Sequence, residues 1–234
     1  MGTDIHLFAE YRREGRWVAV GRWHRVTWGQ VEGFDLDDEP LYGDRNYRLF
    51  AMLADVRNGY GFAGVDTGEP LTPIAPPRGL PPDVSPEVAS QAAIWDADGH
   101  SHSWLTLAEL LAYDWTQVAT LRGIVDAGTY LEWANYGRRR GESPRMWSGM
   151  VFMPGAEIVS EEEMDRRIAA VTAGIEGWWE QREAVREKLE NVFCRVSWQQ
   201  PYYRLASKFW VEVIPRLLRC GPPPDVRIVF WFDN

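Results

Sequence analysis

Histidines and nearby carboxylates are the residues of this chain best suited to chemistry. His6 follows Asp4 by two positions, and His100 and His102 are separated only by Ser101. Residues two apart share a face of a β-strand, so each pair could offer two ligands to one metal ion. The spacing leaves three roles open for His6, His100 and His102. They could bind a metal, act as catalytic acid and base, or form local hydrogen bonds at a strand tip and in a loop.

Nucleophilic catalysis and the common nucleotide motifs lack their signatures. Ser101 and Ser103 flank histidines, but the sequence contains no Gly-x-Ser-x-Gly elbow. It also lacks a phosphate-binding Walker loop, a dinucleotide fingerprint and the repeated His-x-Ser or His-x-Thr of two-histidine phosphoesterases. Cys194 lies in a strand pattern and is expected in the core.

A larger set of side chains could recognise a flat ligand that contains phosphate. Arginine forks suit phosphate, amides and hydroxyls can read polar edges, and aromatic rings can stack on a base. The competing interpretation places the arginines in surface ion pairs and the tryptophans in the core. The candidate ligand-binding residues are Asp4, Arg45, Asn46, Tyr47, Arg57, Arg78, Ser101, Ser103, Trp104, Trp231, Asp233 and Asn234.

The stretch from 43 to 61 is predicted to position several of these groups on one helix. Asp44 stands where an N-cap oxygen would meet free backbone N–H groups, and the start of such a helix can receive an anion. Glycines before the cap and after Arg57 allow the backbone to approach a ligand closely. The apolar spacing of three and four residues predicts one buried helix face, formed by Leu49, Phe50, Leu53 and Val56.

The two ends of the chain are predicted to be strands. Alternation over 4–11, followed by a turn and 17–20, predicts an antiparallel hairpin. The apolar segment 226–234 predicts a central strand beside the first one. Residues 21–42 are interpreted as a loop, and the proline-rich segment 66–86 as a rigid loop that holds Arg78 over a site.

Capping signals place most of the helices. Ser85 before Pro86 predicts a helix start, and Thr106 with Glu109 forms a capping box, as does Ser160 with Glu163. Short strands are expected at 155–160 and 192–198. Helices are predicted from 86, at 107–115, 117–126, 129–139, 160–173 and 178–189, and at 203–219 with a kink at Pro215.

These elements predict an α+β fold in which a small, mostly antiparallel sheet includes the N- and C-terminal strands and several helices pack around it. We expect one domain over 1–234, with a helical insertion at about 160–190.

The net charge of −9 argues against binding to nucleic acid polymers or acidic membranes. The two cysteines and the lack of a long apolar window predict a cytoplasmic protein. No cofactor is predicted, and a homo-oligomer is left open.

Several of these motifs resemble a family of bacteriophage and prophage proteins, also found in some bacteria, that typically begin MGCDIH and end VFWFDN. The resemblance lies in MGTDIH, GDRNYRLFAMLADVR, PPRGLP, HSHSWLTLAELL and RIVFWFDN, and it does not extend over 120–220. Position 3 is Thr where Cys is typical, which argues against an essential thiol there. The matching residues are Asp4, Ile5, His6, Arg45, Asn46, Tyr47, Arg57, Pro77, Arg78, Gly79, His100, Ser101, Ser103, Trp104, Trp231, Asp233 and Asn234.

The family's motifs have no settled biochemistry, so the functional expectation is an analogy. Some small phage proteins defeat host defences by capturing or cleaving nucleotide second messengers. The resemblance therefore implies a phage anti-defence protein, in the cytoplasm of a bacterial host, that sequesters a small nucleotide-derived signal. One alternative is a phosphodiesterase or hydrolase that cleaves such a signal, with or without a metal. Another is an inhibitor that blocks a host enzyme by surface contact through the 160–190 region.

Overall fold

A computed structural model describes residues 2–29, 31–95, 97–138 and 141–233. Within it the chain forms two compact units. Unit 1 contains 1–58, 71–116 and 203–234, and unit 2 contains 59–70 and 117–202. This division describes contacts and does not test independent folding, so the single domain stays a prediction.

The sheet of unit 1 contains both ends of the chain. Its strands are β1 (Asp4–Arg13), β2 (Arg16–Ala19), β5 (His100–Thr106) and β9 (Val226–Asp233). They lie in the order β2-β1-β9-β5, and every neighbouring pair is antiparallel. The predicted hairpin and the central position of the last strand are confirmed, as is the α+β class.

Strand β9 is buried on both faces, which explains its almost uninterrupted apolar sequence. On one face Phe232 packs against Phe50 of helix α1 (Tyr47–Ala54), with 4.9 Å between ring centroids. On the other face Val229 and Trp231 join a core cluster with helix α2 (Pro86–Ile94). The sheet therefore lies between two layers of helix.

Residues 21–42 are not a loop, and that prediction was wrong. Strands β3 (Trp23–Trp28) and β4 (Val31–Leu36) form an antiparallel hairpin. The Phe34 N–H donates to Ser90 Oγ at 3.0 Å, so the hairpin is fastened to α2. Most side chains of β3 are exposed, so the strand lacks the apolar alternation that would have identified it.

The central helix α1 begins later than predicted. Its N-cap is Asn46, whose side-chain oxygen accepts from the backbone N–H groups of Arg48 and Leu49, and Asp44 instead pairs with Lys208. The helix ends at Ala54 because Asp55 takes the left-handed conformation, with φ 60°.

In unit 2 the segment predicted as a helix at 117–126 is strand β6 (Val118–Asp126), and that prediction was wrong. It forms a sheet in the order β6-β8-β7 with β7 (Glu157–Val159) and β8 (Val192–Pro201). Thr, Val and Ile favour a strand here, and pairing with β8 over its full length decides the conformation.

The other predicted helices are present, several with shorter bounds. Ser85, Thr106 and Ser160 act as N-caps as predicted. The helical segment near Pro215 is interrupted by a π-turn at Phe209–Val213. No helix among the described residues is long and apolar enough to cross a bilayer. The remaining helices are α3 Leu107–Ala112, α4 Ala127–Glu132, α5 Glu161–Thr172, α6 Trp178–Lys188, α7 Tyr202–Leu205 and α8 Ile214–Leu218.

Candidate functional site

Polar side chains from distant parts of the sequence meet where β1 begins and β9 ends. The antiparallel register sets Asp4 opposite Asp233, and α1 packs near this end of the sheet through the contact of Phe50 with Phe232. Two sets of residues are joined here by hydrogen bonds, an ion pair or a ring contact, one formed by Asp4, His6, Arg45 and Asp233 and the other by Thr3, Tyr47 and Arg57. We call them the terminal cluster: Thr3, Asp4, His6, Arg45, Tyr47, Arg57 and Asp233.

Arg45 forms a bidentate ion pair with Asp4. Its Nε and Nη2 donate to Oδ1 and Oδ2 at 2.8 and 2.5 Å. The hydrogen bond from Arg45 lowers the pKa of Asp4, so the carboxylate stays ionised. The guanidinium lies against Gly2, where any Cβ would collide with it. About half of the Arg45 side chain, 52%, is exposed, so the pair lies within reach of a ligand.

His6 is oriented by the other end of the chain. Its Nε2 lies 3.4 Å from Asp233 Oδ2, and Asp233 Oδ1 accepts from the Asp4 N–H at 3.1 Å. The exposed fraction of the His6 side chain is 22%, so one part of the ring still reaches solvent. A histidine held by a carboxylate in this way can bind a polar group or exchange a proton.

Thr3 connects the start of β1 to the helix and to the loop that follows it. Its N–H donates to the Tyr47 hydroxyl at 3.1 Å, and its Oγ1 accepts from Arg57 Nε at 2.9 Å. The Arg57 guanidinium also lies 5.7 Å from the centre of the Tyr47 ring, at cation–π distance. Thr3 therefore brings Tyr47 and Arg57 together.

Three rings form a row across the sheet behind this cluster. His6 and His102 each stack on Trp231, with centroid distances of 5.7 and 5.5 Å. Trp95, which follows α2, lies 4.1 Å from His6 on the same face. The side chain of Trp231 is fully buried, so neither face of its ring is available to a ligand.

His100 and His102 do not share a face as the spacing predicted. A β-bulge interrupts β5 between His100 and Ser103, and Ser101 takes a φ of +52°. His100 packs near Phe232, whereas His102 stacks on Trp231. Adjacent residues of a strand point to opposite faces, so the bulge places the two imidazoles on opposite faces of the sheet.

The bulge also removes the proposed four-ligand metal site. In the described part of the chain, no group of three or more His, Cys, Asp or Glu side chains could hold a metal ion. Asp4 and His6 do lie together as expected, but His100 and His102 do not complete the set. Burial, with a smaller effect of His100, lowers the pKa of His102, which favours the neutral imidazole.

Arg78 lies in a different set of contacts, at β5. Its guanidinium donates twice to Glu109, at 3.2 and 2.6 Å, and stacks 4.9 Å from the Trp104 ring centre. Its backbone N–H donates to Ser103 Oγ at 3.3 Å, and Ser103 is buried. These contacts fasten the proline-rich loop to the sheet, so Arg78, Ser103 and Trp104 serve the fold in this structure.

The remaining candidates have local contacts. Asn46 caps α1 and donates to the Leu205 carbonyl at 2.8 Å, so its amide is occupied. Ser101 Oγ lies 3.1 Å from His100 Nδ1, within the bulge. Asn234 lies outside the described residues.

Sequence reasoning missed two features of this sheet. Trp95 covers His6, although no regular spacing relates the two residues. Glu10 and Arg227 form a buried ion pair, with Arg227 also donating to Asp83. The alternation of β1 predicts that Glu10 lies on the same face as His6, and this was the only local signal for a buried Glu10. Its partner Arg227 lies 217 positions away, so the ion pair could not be found from spacing.

Comparison of the chain with protein-family models, with curated proteins and with solved structures finds no match.

Proposed function

We propose that the protein binds a small nucleotide-derived, phosphate-containing signalling molecule at the terminal cluster. The observation that supports this most directly is the Arg45–Asp4 pair. Arg45 uses Nε and Nη2 on Asp4, and its Nη1 has no hydrogen bond within the described residues. A guanidinium that is held by a carboxylate and remains half exposed can donate a further N–H to a phosphate oxygen.

The mixture of donors and acceptors favours a nucleotide over a simple anion. The two arginines and two aspartates of the terminal cluster have no net charge together, so they attract a simple anion such as inorganic phosphate only weakly. Asp4 and Asp233 can accept hydrogen bonds from ribose hydroxyls or base N–H groups, while Arg45 and Arg57 donate to phosphate. His6 can read a further polar group beside them.

The family resemblance bears on what such binding would achieve. A phage protein that captures a nucleotide messenger lowers its free concentration and silences the host defence that depends on it. This role needs tight binding but no chemistry. The proposed function is therefore sequestration of the signal, with His6 as a binding residue.

Uptake of defined probes tests the proposal. The protein is incubated with cyclic dinucleotides and with cyclic ADP-ribose isomers, separated from free ligand and denatured, and the released molecules are identified. Intact ligand is the expected result. No uptake of any probe would contradict nucleotide binding and favour the surface-contact alternative.

Matched variants locate the binding. Arg45→Ala should weaken affinity about tenfold or more, because a hydrogen bond to a charged group contributes about 1.5–3 kcal/mol. Arg45→Lys should recover part of the loss, since lysine keeps the charge but not the fork. Arg13, an exposed residue at the opposite end of β1, supplies the control Arg13→Ala. An equal loss of affinity in Arg45→Ala and Arg13→Ala would exclude the terminal cluster as the binding site.

The contact of His6 with Asp233 favours hydrolysis as a second candidate function. A carboxylate that orients imidazole is the usual support for a general base. Altered ligand in the uptake experiment would indicate this activity. His6→Gln should then abolish the alteration while leaving uptake within about threefold, because glutamine can still hydrogen bond but cannot exchange a proton at neutral pH.

A further inference from the structure

A concave site lies in unit 1, at the edge of β1 beyond the end of β2. The cavity has a volume of about 460 Å³. Along this edge β2 ends at Ala19, the Val20 N–H still donates to the Ala9 carbonyl at 2.8 Å, and Tyr42 then bridges to Leu7. The cavity is lined by this part of β1, by the segments that follow β2 and β4, and by the end of α8. None of the terminal-cluster residues lines it.

The floor of the cavity is apolar. Val20, Leu36 and Leu41 belong to its lining, and each is partly exposed. Pockets that bind small ligands commonly have volumes of about 300–1,000 Å³ and mostly apolar walls. An apolar group placed here would leave water, which is the main source of binding free energy for such groups.

The rim carries unbalanced positive charge. Arg216 and Arg219 are three residues apart, so they are neighbours on the end of α8, and both are exposed. Neither forms an ion pair within the described part of the chain. Across the cavity, Asp38 is already bound by Arg22, with hydrogen bonds of 3.1 and 3.0 Å from Nε and Nη2. Glu39 is the other acidic residue of the lining, and no ion pair joins it to any residue that the structure describes. Two arginines therefore face one unpaired carboxylate there.

The dipole of α8 explains why arginines are tolerated at its C-terminal end, but not why they border an apolar cavity. The hydrogen bonds from Arg22 lower the pKa of Asp38, with a smaller effect of the Arg216 charge. An occupant with an apolar body and a negative head would satisfy both the floor and the rim.

We propose that this cavity binds a small amphipathic anion, in which a carboxylate or phosphate bound by Arg216 and Arg219 is attached to an aliphatic or aromatic group that contacts Val20, Leu36 and Leu41. The site is independent of the terminal cluster and would remain if the proposed nucleotide function failed.

Binding of 8-anilinonaphthalene-1-sulfonate, an aromatic anion with environment-sensitive fluorescence, tests the proposal on the folded protein. Octanoate and octyl phosphate should displace it, and the stronger competitor identifies the preferred head group. Octylamine has the same tail with a positive head and should fail to compete. Displacement by octylamine as strong as by octanoate would contradict the role of the arginines.

Two variants locate the probe. Arg216→Gln with Arg219→Gln should weaken binding about tenfold or more, as expected for lost charged hydrogen bonds. Val20→Phe should block the cavity while keeping the rim charge. Arg204→Gln removes another exposed arginine of unit 1 that does not line the cavity, so it should have no effect. Unchanged binding in the double variant and in Val20→Phe would overturn the proposal.

Cys220 provides a direct readout because it lines the cavity, whereas Cys194, the only other cysteine, is fully buried. Burial raises the pKa of Cys220, so alkylation is measured at mildly alkaline pH. Saturating 8-anilinonaphthalene-1-sulfonate should slow alkylation of Cys220 in the wild-type protein and not in the double variant. Absence of protection in the wild-type protein would show that the probe binds elsewhere and would refute the assignment.

Discussion

Arg227 and Glu10 illustrate how single residues of this protein depend on distant partners. Arg227 Nε donates to Glu10 Oε2 at 2.6 Å, and Glu10 Oε1 accepts from the Ser85 N–H at 2.7 Å. The exposed fractions of the two side chains are 2% and 0%. The Arg227 guanidinium also lies 4.0 Å from the Trp17 ring centre. Buried charges are tolerated here because nearly every polar atom around them has a partner.

Removing one member of this pair should be costly. Arg227→Ala leaves the Glu10 carboxylate buried without its cation, so we expect a loss of about 3–5 kcal/mol in the free energy of unfolding. Urea denaturation measures it. Arg12→Ala is the control, because the Arg12–Asp225 pair is exposed and such pairs contribute about 0–1 kcal/mol. Similar losses in the two variants would show that the buried pair does not stabilise the fold.

The pH dependence of stability should include a contribution from His102. Burial lowers the folded-state pKa of His102 below the ordinary histidine value of 6.5. The unfolded chain therefore binds the proton first as the pH falls through about 6.5, and stability decreases from there downward. His102→Phe keeps a ring against Trp231 but cannot titrate. Its melting temperature should fall less than that of the wild-type protein between neutral and mildly acidic pH, and an identical fall would exclude the contribution.

At the scale of elements, capping residues and strand partners decide where each segment begins and what it becomes. Thr106 and Glu109 form the predicted capping box, in which both side chains bond to backbone N–H groups. The same Glu109 also binds Arg78, so one residue caps α3 and fastens the proline-rich loop. In β5 the bulge at Ser101 redirects His100 and His102 to different faces.

The corrected start of α1 gives a prediction at this scale. Asn46→Ala removes the cap and the hydrogen bond to the Leu205 carbonyl, so the free energy of unfolding should fall by about 1–2 kcal/mol. Asp44→Ala removes an exposed ion pair with Lys208 and should cost less than about 1 kcal/mol. Chemical denaturation of both variants measures the difference. A larger loss for Asp44→Ala would return the capping role to the position that the sequence indicated.

At the scale of the whole molecule, the sheet of unit 1 cannot be completed until the last strand is present. Strand β9 lies between β1 and β5, and its pairing with β1 joins residues up to 229 positions apart. Unit 1 is assembled from three separate segments of the chain. Contacts of such long range are formed at a high cost in chain entropy, and once formed they hold the core together.

Amide hydrogen exchange should report this organisation. The amides of β9 and β1 in the centre of the sheet should exchange slowest in unit 1, because they open only with the whole core. The β3–β4 hairpin has exposed side chains and two strands only, so its amides should exchange faster. Mass spectrometry of exchange by segment makes the comparison. Equal protection of the two regions would argue against a core centred on β9.

The sequence by itself determined the local structure. The alternation of β1, the apolar run of β9 and the N-caps Ser85, Thr106 and Ser160 were predicted correctly because their causes lie within a few residues. The meeting of Asp4, Arg45 and Asp233 was part of the recognition hypothesis, but the pairing of Arg45 with Asp4 was not.

Only the tertiary structure decided the rest. Segment 118–126 became a strand because β8 pairs with it, and His100 and His102 were separated by a bulge that their spacing does not reveal. Trp231 was predicted to face a ligand but is enclosed by its neighbours. In each case the deciding partner is remote in sequence, and its contribution outweighs the small local preference of the residue itself.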